Sequence, residues 1–345
     1  MFTTFVMPSL PRRLCVFLGL ILLALSTSIS LSHADERPLL RVFTYGSMTS
    51  DWGPGPALKA RFEAECQCRV EYNSSEDGVS LLNRLRLEGQ RTRADVILGL
   101  DTGLIPEAER LGLTQPHQLA LESFRLQDNL AWDHPHFIPF DQGYFAFVYH
   151  RQRTPHPVTS LEALLNSDAR IIYQDPRTST PGLGLLIWIQ QVYGDQAPEA
   201  WRRLAERTVT VTSGWSDAYS LFLAGEADYV LSYSTSPAYH WLEEQDFNYQ
   251  AVLMEEGHPR QIEVAAISRW SQNPDLARDF LAFLLSPSTQ AELPLGNWML
   301  PVIDDVALPD AFEALIQPEP LLITPEELDR QRSRWIRIWR TAVSR

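Results

Sequence analysis

From residue 38 onward, short apolar runs alternate with segments in which apolar residues recur every three or four positions. The short runs are typical of buried β-strands, and the spaced segments are typical of amphipathic helices. This alternation predicts βαβ units and a largely parallel sheet, so the predicted fold class is α/β. The clearest strand patterns are LLRVFTY (39–45), ADVILGL (94–100), ARIIYQ (169–174) and ADYVLSY (227–233).

No stretch rich in Pro, Gly and Ser divides the chain into two consecutive halves, although its length suggests about two domains. We therefore expect the chain to pass between two lobes more than once. The patterns FIPFDQGYFAFVY (137–149) and RQIEVAAIS (260–268) are the candidate crossing strands. The predicted lobes comprise residues 35–140 with 264–318, and residues 141–263 with 319–345.

The C-terminal segment predicts an amphipathic helix. Thr324 and Glu327 have the spacing of a capping box at its start. The bulky side chains of Trp335, Ile338 and Trp339 recur on one face, so we expect them to dock this helix on the rest of the protein.

The N-terminal residues have the pattern of an export signal. Arg12 and Arg13 precede the apolar run LCVFLGLILLALS (14–26), and a cleavage pattern of small residues ends at Ala34. The apolar run is shorter than the ~20 residues of a membrane-spanning helix, which favours a cleaved signal over an uncleaved anchor. We therefore expect residues 1–34 to be a signal peptide and the mature chain to be soluble in an exported, oxidising compartment.

The chain is acidic, with a formal net charge of −14, and loss of the two signal-peptide arginines would make it more acidic still. A field of this sign repels nucleic acids and anionic lipid surfaces, so no nucleic-acid partner is expected. The histidines are scattered and form no pair with the i, i+4 spacing of a helical metal site. We therefore expect no metal site.

Two cysteines, Cys66 and Cys68, would remain after the signal peptide and its Cys15 are removed. An oxidising compartment favours a disulfide between them, although the C-x-C ring is short and would be strained. We expect the disulfide rather than free thiols. No further cysteine of the mature chain could complete a metal cluster.

Ligands of open α/β folds bind outside the carboxyl ends of the strands. Here the residues that follow the predicted strands are rich in aromatic, acidic and hydroxyl side chains. Aromatic faces near carboxylates suit a flat, positively charged ligand, whereas hydroxyls at helix starts suit a phosphate or hydroxyl group. The residues of this predicted rim are Tyr45, Trp52, Asp77, Asp101, Ser179, Thr180, Trp215, Tyr233 and Tyr239.

The stretch DPRTSTPGLG (175–184) directly precedes an apolar helix pattern. Ser179, Thr180 and Pro181 are residues that can begin a helix, and hydroxyls at such a start can also hold an anionic group. Asp77, before Gly-Val-Ser, is likewise either a helix N-cap or a ligand contact. From these residues alone, both alternatives stay open.

A series of segments resembles the periplasmic thiamine-binding protein family of bacterial thiamine ABC importers. The resemblance extends from about residue 38 to the C terminus, and several segments are long and specific. They are DWGPGP (51–56), CQC (66–68), EDGVSLLNRLR (76–86), ADVILGLD (94–101), PFDQGYFAFVY (139–149), IYQDPRTSTPGLGLL (172–186), VTVTSGW (209–215), VLSYSTSPAYH (230–240) and GNWMLPV (296–302).

The resemblance implies a two-lobed, type II periplasmic binding protein fold with a hinge between the lobes. It implies a monomeric receptor in the periplasm with no cofactor and no catalytic residues. Its ligand would be thiamine, or thiamine mono- or diphosphate, delivered to the membrane permease of an ABC importer. The resemblance implies a ligand cleft formed by Tyr45, Trp52, Asp77, Trp215, Tyr233, Tyr239 and Trp298, with Gly78, Ser179 and Thr180 at the phosphate or hydroxyethyl end.

Two other functions are weaker hypotheses. An enzyme of the same fold, thiaminase, needs a nucleophilic cysteine in the cleft, and the two cysteines of the C-x-C pattern are poor candidates for it. A receptor for another solute, such as a polyamine, ferric ion or sulfate, would also suit the fold. Ferric receptors need paired tyrosines, and the spacing of Tyr233 and Tyr239 does not by itself bring both to one metal.

Overall fold

The computed structural model describes residues 37–344 and has an α/β fold with one mixed sheet of eleven strands. Its strands are β1 (Leu39–Tyr45), β2 (Arg69–Ser75), β3 (Val96–Asp101), β4 (Thr114–Gln115), β5 (Phe137–His150), β6 (Ile171–Gln174), β7 (Thr208–Thr212), β8 (Tyr229–Tyr233), β9 (Tyr249–Ala251), β10 (His258–Ser268) and β11 (Pro320–Leu321). The strand patterns named from the sequence are therefore confirmed as strands.

Helices cover both faces of this sheet and connect its parallel strands. They are α1 (Gly46–Thr49), α2 (Gly55–Cys66), α3 (Gly78–Glu88), α4 (Ile105–Arg110), α5 (Leu161–Asn166), α6 (Thr180–Tyr193), α7 (Ala197–Arg207), α8 (Trp215–Leu223), α9 (Pro237–Tyr239), α10 (Pro274–Leu284), α11 (Pro287–Gly296), α12 (Asp310–Glu313) and α13 (Pro325–Val343). A π-helical turn, His240–Glu244, follows α9 directly.

The main path of the sheet runs β2-β1-β3-β10-β5-β8-β6-β7. The predicted parallel pairing is confirmed at its two ends, in β2-β1-β3 and in β8-β6-β7. It is wrong at the centre, where β10 is antiparallel to β3, β5 to β10, and β8 to β5. An apolar run has the same pattern in a parallel and an antiparallel strand, so strand direction could not be derived from periodicity.

The two long central strands are the ones expected to cross between lobes. Residues 137–144 of β5 pair with β10, and residues 145–149 pair with β8. Strand β5 therefore links the strands on one side of the sheet's centre to those on the other. The division into lobes at the boundaries given above stays a prediction.

Two large apolar clusters pack on the sheet. One includes α3, α6 and α7, and the other includes β1, α2 and α10. Helix α6 is buried along its whole first part, from Thr180 to Ile189, and Trp188 within it is fully buried. A helix that is apolar on all sides is typical of a protein interior, and burial of each large side chain stabilises the fold by about 1.5–3 kcal/mol.

The C-terminal helix α13 begins as its sequence predicts. The Thr324 hydroxyl accepts a hydrogen bond from the backbone N–H of Glu327 at 3.2 Å. Trp335 and Trp339 are buried against the rest of the protein, and the Trp339 indole N–H donates to the Tyr173 hydroxyl at 3.2 Å. The predicted docking of this helix is confirmed, with Ile338 half-buried beside the two tryptophans.

Cys66, the last residue of α2, forms a disulfide with Cys68, whose side chain is fully buried. The predicted signal peptide, residues 1–34, lies outside the described residues. Within residues 37–344, no helix has both the length and the apolar character that crossing a membrane requires.

Candidate ligand-binding site

A cavity of about 730 Å³ opens at the carboxyl ends of β1, β2 and β8, where the fold class places a ligand. Its wall combines aromatic, acidic and hydroxyl side chains. The lining residues are Tyr45, Gly46, Ser47, Ser50, Trp52, Ser74, Ser75, Glu76, Asp77, Trp215, Ser216, Tyr219, Ser220, Leu223, Tyr233, Ser236, Tyr239, Glu263, Asn297, Trp298 and Met299.

A second concavity, of about 810 Å³, lies over residues 116–135 and Asp304. It is slightly larger, but none of the residues predicted for the ligand site lines it. The smaller, more apolar cavity with convergent polar groups is the better candidate for a small-molecule site.

Aromatic rings form much of the wall of the candidate cavity. Trp215 stacks on Tyr219 with ring centroids 4.9 Å apart, and Trp52 lies 6.0 Å from Trp215. The ring of Tyr239 meets Trp298 edge-on at 5.4 Å. Flat π-faces in the wall of a cavity suit a flat ligand, and they attract a cationic one.

Trp298 reaches the cavity from a loop that follows α11. Its backbone has φ of +55°, a left-handed conformation that costs a non-glycine residue about 1–3 kcal/mol. The loop is tied to β5, because Gln142 and Leu300 exchange backbone hydrogen bonds of 2.8 and 3.0 Å. The fold therefore holds Trp298 in a strained conformation that directs its neighbour Asn297 toward the buried end of the cavity.

Tyr45 forms the floor of the cavity at the end of β1. Its ring lies against Gly99, where φ is +97° and a Cβ atom would come within 2.1 Å of the ring. Its hydroxyl donates to Glu263 Oε2 at 2.7 Å and accepts from Asn297 Nδ2 at 3.0 Å. Burial, followed by the nearby carboxylates of Glu263 and Asp141, raises the pKa of Tyr45 well above its ordinary value, so this hydroxyl remains a donor.

Asp77 occupies the N-cap position of α3, as its sequence context predicts. Its Oδ1 accepts from the backbone N–H of Gly78 at 2.8 Å, and its Oδ2 accepts from the Ser179 hydroxyl at 2.7 Å. Burial raises the pKa of the Asp77 carboxyl, and the hydrogen bonds oppose this effect. Asp77 is thus held rigidly, with one face toward the cavity.

Gly78, Ser179 and Thr180 lie behind Asp77 and do not line the cavity in this structure. A Cβ atom on Gly78 would come within 2.6 Å of both the Gly99 carbonyl oxygen and Thr180 Oγ1, so only glycine fits there. Ser179 precedes α6 but forms no side-chain cap, because its hydroxyl is bonded to Asp77. Of the two alternatives for DPRTSTPGLG, the helix start is confirmed, with Ser179 at the N-cap position and Pro181 in the first turn of α6, and the anion-holding role stays a prediction.

Two acidic residues at the closed end of the cavity were not identified from the sequence. Glu263 of β10 lines the cavity, and Asp141 of β5 lies opposite it in the antiparallel register. Burial raises the pKa of Asp141 to about 7 and that of Glu263 well above its usual range. The available signal was a carboxylate inside an otherwise apolar strand, since acidic residues are rarely buried without a specific role.

Seven of the ten predicted site residues line one cavity: Tyr45, Trp52, Asp77, Trp215, Tyr233, Tyr239 and Trp298. Asp101, at the end of β3, lies deeper and is buried, and burial raises its pKa to about 7 against the opposing effect of Arg332. Among the described residues of the wall, Glu76, Asp77 and Glu263 are acidic and none is Lys, Arg or His. This cavity therefore favours a flat ligand that carries positive charge.

Residues 40–293 match the family model of bacterial extracellular solute-binding proteins. The chain belongs to this family. It is 53% identical over 312 residues to the thiamine-binding periplasmic protein of Escherichia coli (strain K12), covering 90% of this chain and 94% of that protein. It is 46% identical over 333 residues to the thiamine-binding periplasmic protein of Brucella melitensis biotype 1, covering 95% of this chain and 99% of that protein.

A solved structure of a periplasmic thiamin binding protein superposes on this solute-binding protein with a TM-score of 0.87 at 52% sequence identity. The match covers 90% of this chain and 97% of that one. The family resemblance and the type II periplasmic binding protein fold expected from the sequence are therefore confirmed.

Proposed function

We propose that this chain captures thiamine in the periplasm and delivers it to the membrane permease of an ABC importer. The observation that carries the proposal is the acidic, aromatic cavity, found in a chain 53% identical to a thiamine-binding periplasmic protein. Thiamine has a cationic thiazolium ring and a flat aminopyrimidine ring. Both rings suit a wall of π-faces and carboxylates that lacks basic side chains among its described residues.

The aromatic residues of the wall would bind the two rings by stacking. The Trp215–Tyr219 stack and the Tyr239–Trp298 pair both offer aromatic rings in the wall of the cavity. Each desolvated contact of a cationic ring with such a face contributes about 1–2 kcal/mol. Asp77, whose carboxylate is fixed by hydrogen bonds, would accept from the exocyclic amine of the pyrimidine.

Thiamine mono- and diphosphate are proposed as further ligands. The wall offers their phosphates serine hydroxyls and the N-terminus of α8, which are suitable anion contacts. The role of Ser179 and Thr180 at the phosphate end stays a prediction, and it would require Ser179 to give up its hydrogen bond to Asp77. Because no basic side chain lines the described wall, we expect the phosphates to add little to the affinity.

Delivery would follow the closure of two lobes about a hinge, with residues 35–140 and 264–318 in one lobe and residues 141–263 and 319–345 in the other. Ligand contacts from both lobes would stabilise the closed form, which the permease would recognise. We propose that the receptor acts as a monomer, binds its ligand without a cofactor and does not convert it.

A thiaminase activity is not favoured by the position of the cysteines. Cys66 and Cys68 are joined in a disulfide between α2 and β2, and neither lines the cavity. A ferric receptor is not favoured either, since the relatives that this chain matches at 46–53% identity are thiamine-binding periplasmic proteins.

Titration of the purified protein with thiamine tests the proposal. We expect quenching of tryptophan fluorescence at micromolar thiamine or below, and a matching affinity by isothermal titration calorimetry. Trp215→Leu should weaken binding by about tenfold and remove part of the quenching, because one stacking face is lost. The control variant Trp270→Leu, on the loop after β10, should leave the affinity unchanged. Absence of both heat and quenching in a folded sample would overturn the proposal.

A further inference from the structure

Asp141 and Glu263 form a pair of like-charged residues on adjacent strands. Asp141 of β5 and Glu263 of β10 are direct partners in the antiparallel register, and a register shift follows Glu263. Cβ atoms of directly opposite residues are about 4.5–5.5 Å apart, and two negative charges at that separation destabilise a sheet. Asp141 is fully buried and Glu263 is 7% exposed, so water does not screen the pair.

The hydrogen bonds around this pair leave it incompletely satisfied. Glu263 accepts from the Tyr45 hydroxyl and from Gln261 Nε2, both at 2.7 Å. Asp141 Oδ2 accepts from Asn297 Nδ2 at 2.5 Å, and Asp141 Oδ1 is buried without a hydrogen-bond partner. An oxygen atom in that position is either a desolvated anion, which is costly, or carries a proton.

The charged and titratable groups around the pair come from five elements. Asp77 faces it from the start of α3, Asp101 from the end of β3, Tyr45 from β1 and Tyr233 from β8. Arg332 of α13 brings positive charge to this region and acts on Asp101. Within residues 37–344, neither Asp141 nor Glu263 forms a salt bridge, so the neighbours add negative charge to the pair rather than neutralise it.

We propose that Asp141 and Glu263 share one proton while the cavity is empty and release it to solvent when a cationic ligand enters, so that the pair selects ligands by positive charge. This inference rests on the proposed function, since it takes thiamine as the cation. Glu263 lines the cavity and would face the ligand directly, whereas Asp141 acts through Glu263 as a positioning residue. The ligand's charge replaces the charge of the proton, and no covalent step is involved.

The sign of the resulting pH dependence is fixed. Burial raises the pKa of Asp141 to about 7 and that of Glu263 well above its ordinary value, and a cation in the cavity favours the ionised pair. Binding therefore lowers the pKa of the pair, and affinity for a cationic ligand rises with pH through neutrality, by at most about tenfold per pH unit. An uncharged ligand of the same shape gives no such rise.

Calorimetry of thiamine binding in buffers with different ionisation enthalpies tests the inference in the wild-type protein. The comparison ligand is the thiophene analogue of thiamine, in which carbon replaces the charged ring nitrogen. At about pH 7 we expect thiamine to release about one proton and the analogue to release none, and thiamine affinity to be about three- to tenfold weaker at pH 6.5 than at pH 8. Binding without proton release, or equal release with both ligands, would overturn this inference alone, whereas absence of thiamine binding would overturn the proposed function as well.

Variants locate the proton. Glu263→Gln and Asp141→Asn each remove one member of the pair and should lower the number of protons released by at least about half. The matched control is Glu76→Gln, which removes a carboxylate from the cavity wall at an exposed position. It should weaken thiamine binding slightly and leave the proton release unchanged. Proton release that is unchanged in both pair variants, or lost in Glu76→Gln, would contradict the assignment of the proton to Asp141 and Glu263. If a pair variant fails to fold, the wild-type calorimetry still tests the inference.

Discussion

Asp95 and Asp141 are buried aspartates of the same sheet, and they differ in the hydrogen bonds that their carboxylates accept. Asp95, directly before β3, is 1% exposed, and Asp141, in β5, is fully buried. Four donors reach Asp95, three from residues 271–273 and one from the backbone of Arg41, at 2.7–3.3 Å. Asp141 accepts from Asn297 through one oxygen, and its second oxygen has no partner.

The difference follows the position of each residue in the sheet. Asp95 lies at the amino end of β3, away from the cavity, and joins that strand to the loop before α10. Asp141 lies beside Glu263 at the closed end of the cavity. A carboxylate whose lone pairs are filled by protein donors contributes stability and has no capacity left for a ligand or proton. An unfilled buried carboxylate costs stability and retains that capacity, which points to a role in binding.

The largest effect on stability is expected at Asp95, whose carboxylate is filled by protein donors. Asp95→Asn replaces an acceptor oxygen by an amide N–H₂ group that faces backbone donors, which leaves buried N–H groups without partners. We expect the free energy of unfolding to fall by about 2–3 kcal/mol in urea denaturation, with thiamine affinity of the folded fraction unchanged. The exposed Asp195→Asn is the control and should change stability by less than about 0.5 kcal/mol. A large loss of affinity with normal stability would break the comparison.

Substitution in the Asp141–Glu263 pair should raise the free energy of unfolding, in contrast to Asp95→Asn, and the gain should depend on pH. The folded chain raises the pKa of Asp141 to about 7, so between about pH 4 and 7 it holds a proton that the unfolded chain has lost. Stability of the wild type therefore falls as pH rises through this window. Asp141→Asn lacks this cost and should gain about 1–2 kcal/mol relative to the wild type between pH 5 and pH 8.

The same urea denaturation series, repeated at both pH values, checks this expectation. Glu76→Gln serves as the control, because its carboxylate is exposed and should show no such pH-dependent gain. A stability difference between Asp141→Asn and the wild type that does not change with pH would show that the pair carries no shared proton.

Local pattern predicted the strands, the cap of α13 and part of the aromatic wall of the cavity, whereas Trp298 was named only through the family resemblance. Each of these depends on residues close together in sequence, such as Thr324 with Glu327, or on the rule that binding residues follow strand ends. Trp215 and Tyr233 were found in this way, since Trp215 follows β7 and Tyr233 ends β8, and Trp52 was found in the segment after β1, beyond the short helix α1.

Contacts between side chains far apart in the sequence could not be predicted from such patterns. Tyr45 and Glu263 are separated by 218 residues, and Ser179 and Asp77 by 102. Glu263 and Asp141 become neighbours only because β5 and β10 are antiparallel in one particular register. A shift of one strand by one residue would turn its carboxylate to the other face of the sheet and separate the pair, and strand periodicity does not specify that register across a connection of this length.

Asp77 lies between the two cases, because each of its oxygens accepts one hydrogen bond from the protein and the residue also lines the cavity. If the Asp141–Glu263 pair balances the charge of the thiazolium, Asp77 is left to accept from the exocyclic amine. Asp77→Asn should then weaken thiamine binding by about 1–2 kcal/mol, and weaken oxythiamine, which has a carbonyl in place of that amine, by less. Calorimetry with both ligands measures the two losses. Equal losses would make Asp77 a charge partner instead.

The smallest effect is expected at Ser179, where the hydroxyl supports Asp77. Ser179→Ala removes one hydrogen bond to the buried carboxylate and should cost about 0.5–1.5 kcal/mol of affinity. If the serine acts through Asp77, thiamine and its mono- and diphosphate lose the same amount. If the serine instead holds the phosphate, as the family resemblance implies, the two esters lose more than thiamine. Calorimetric titration with the three forms separates the outcomes, with Ser216→Ala as a control for a hydroxyl that lines the cavity without a bond to Asp77.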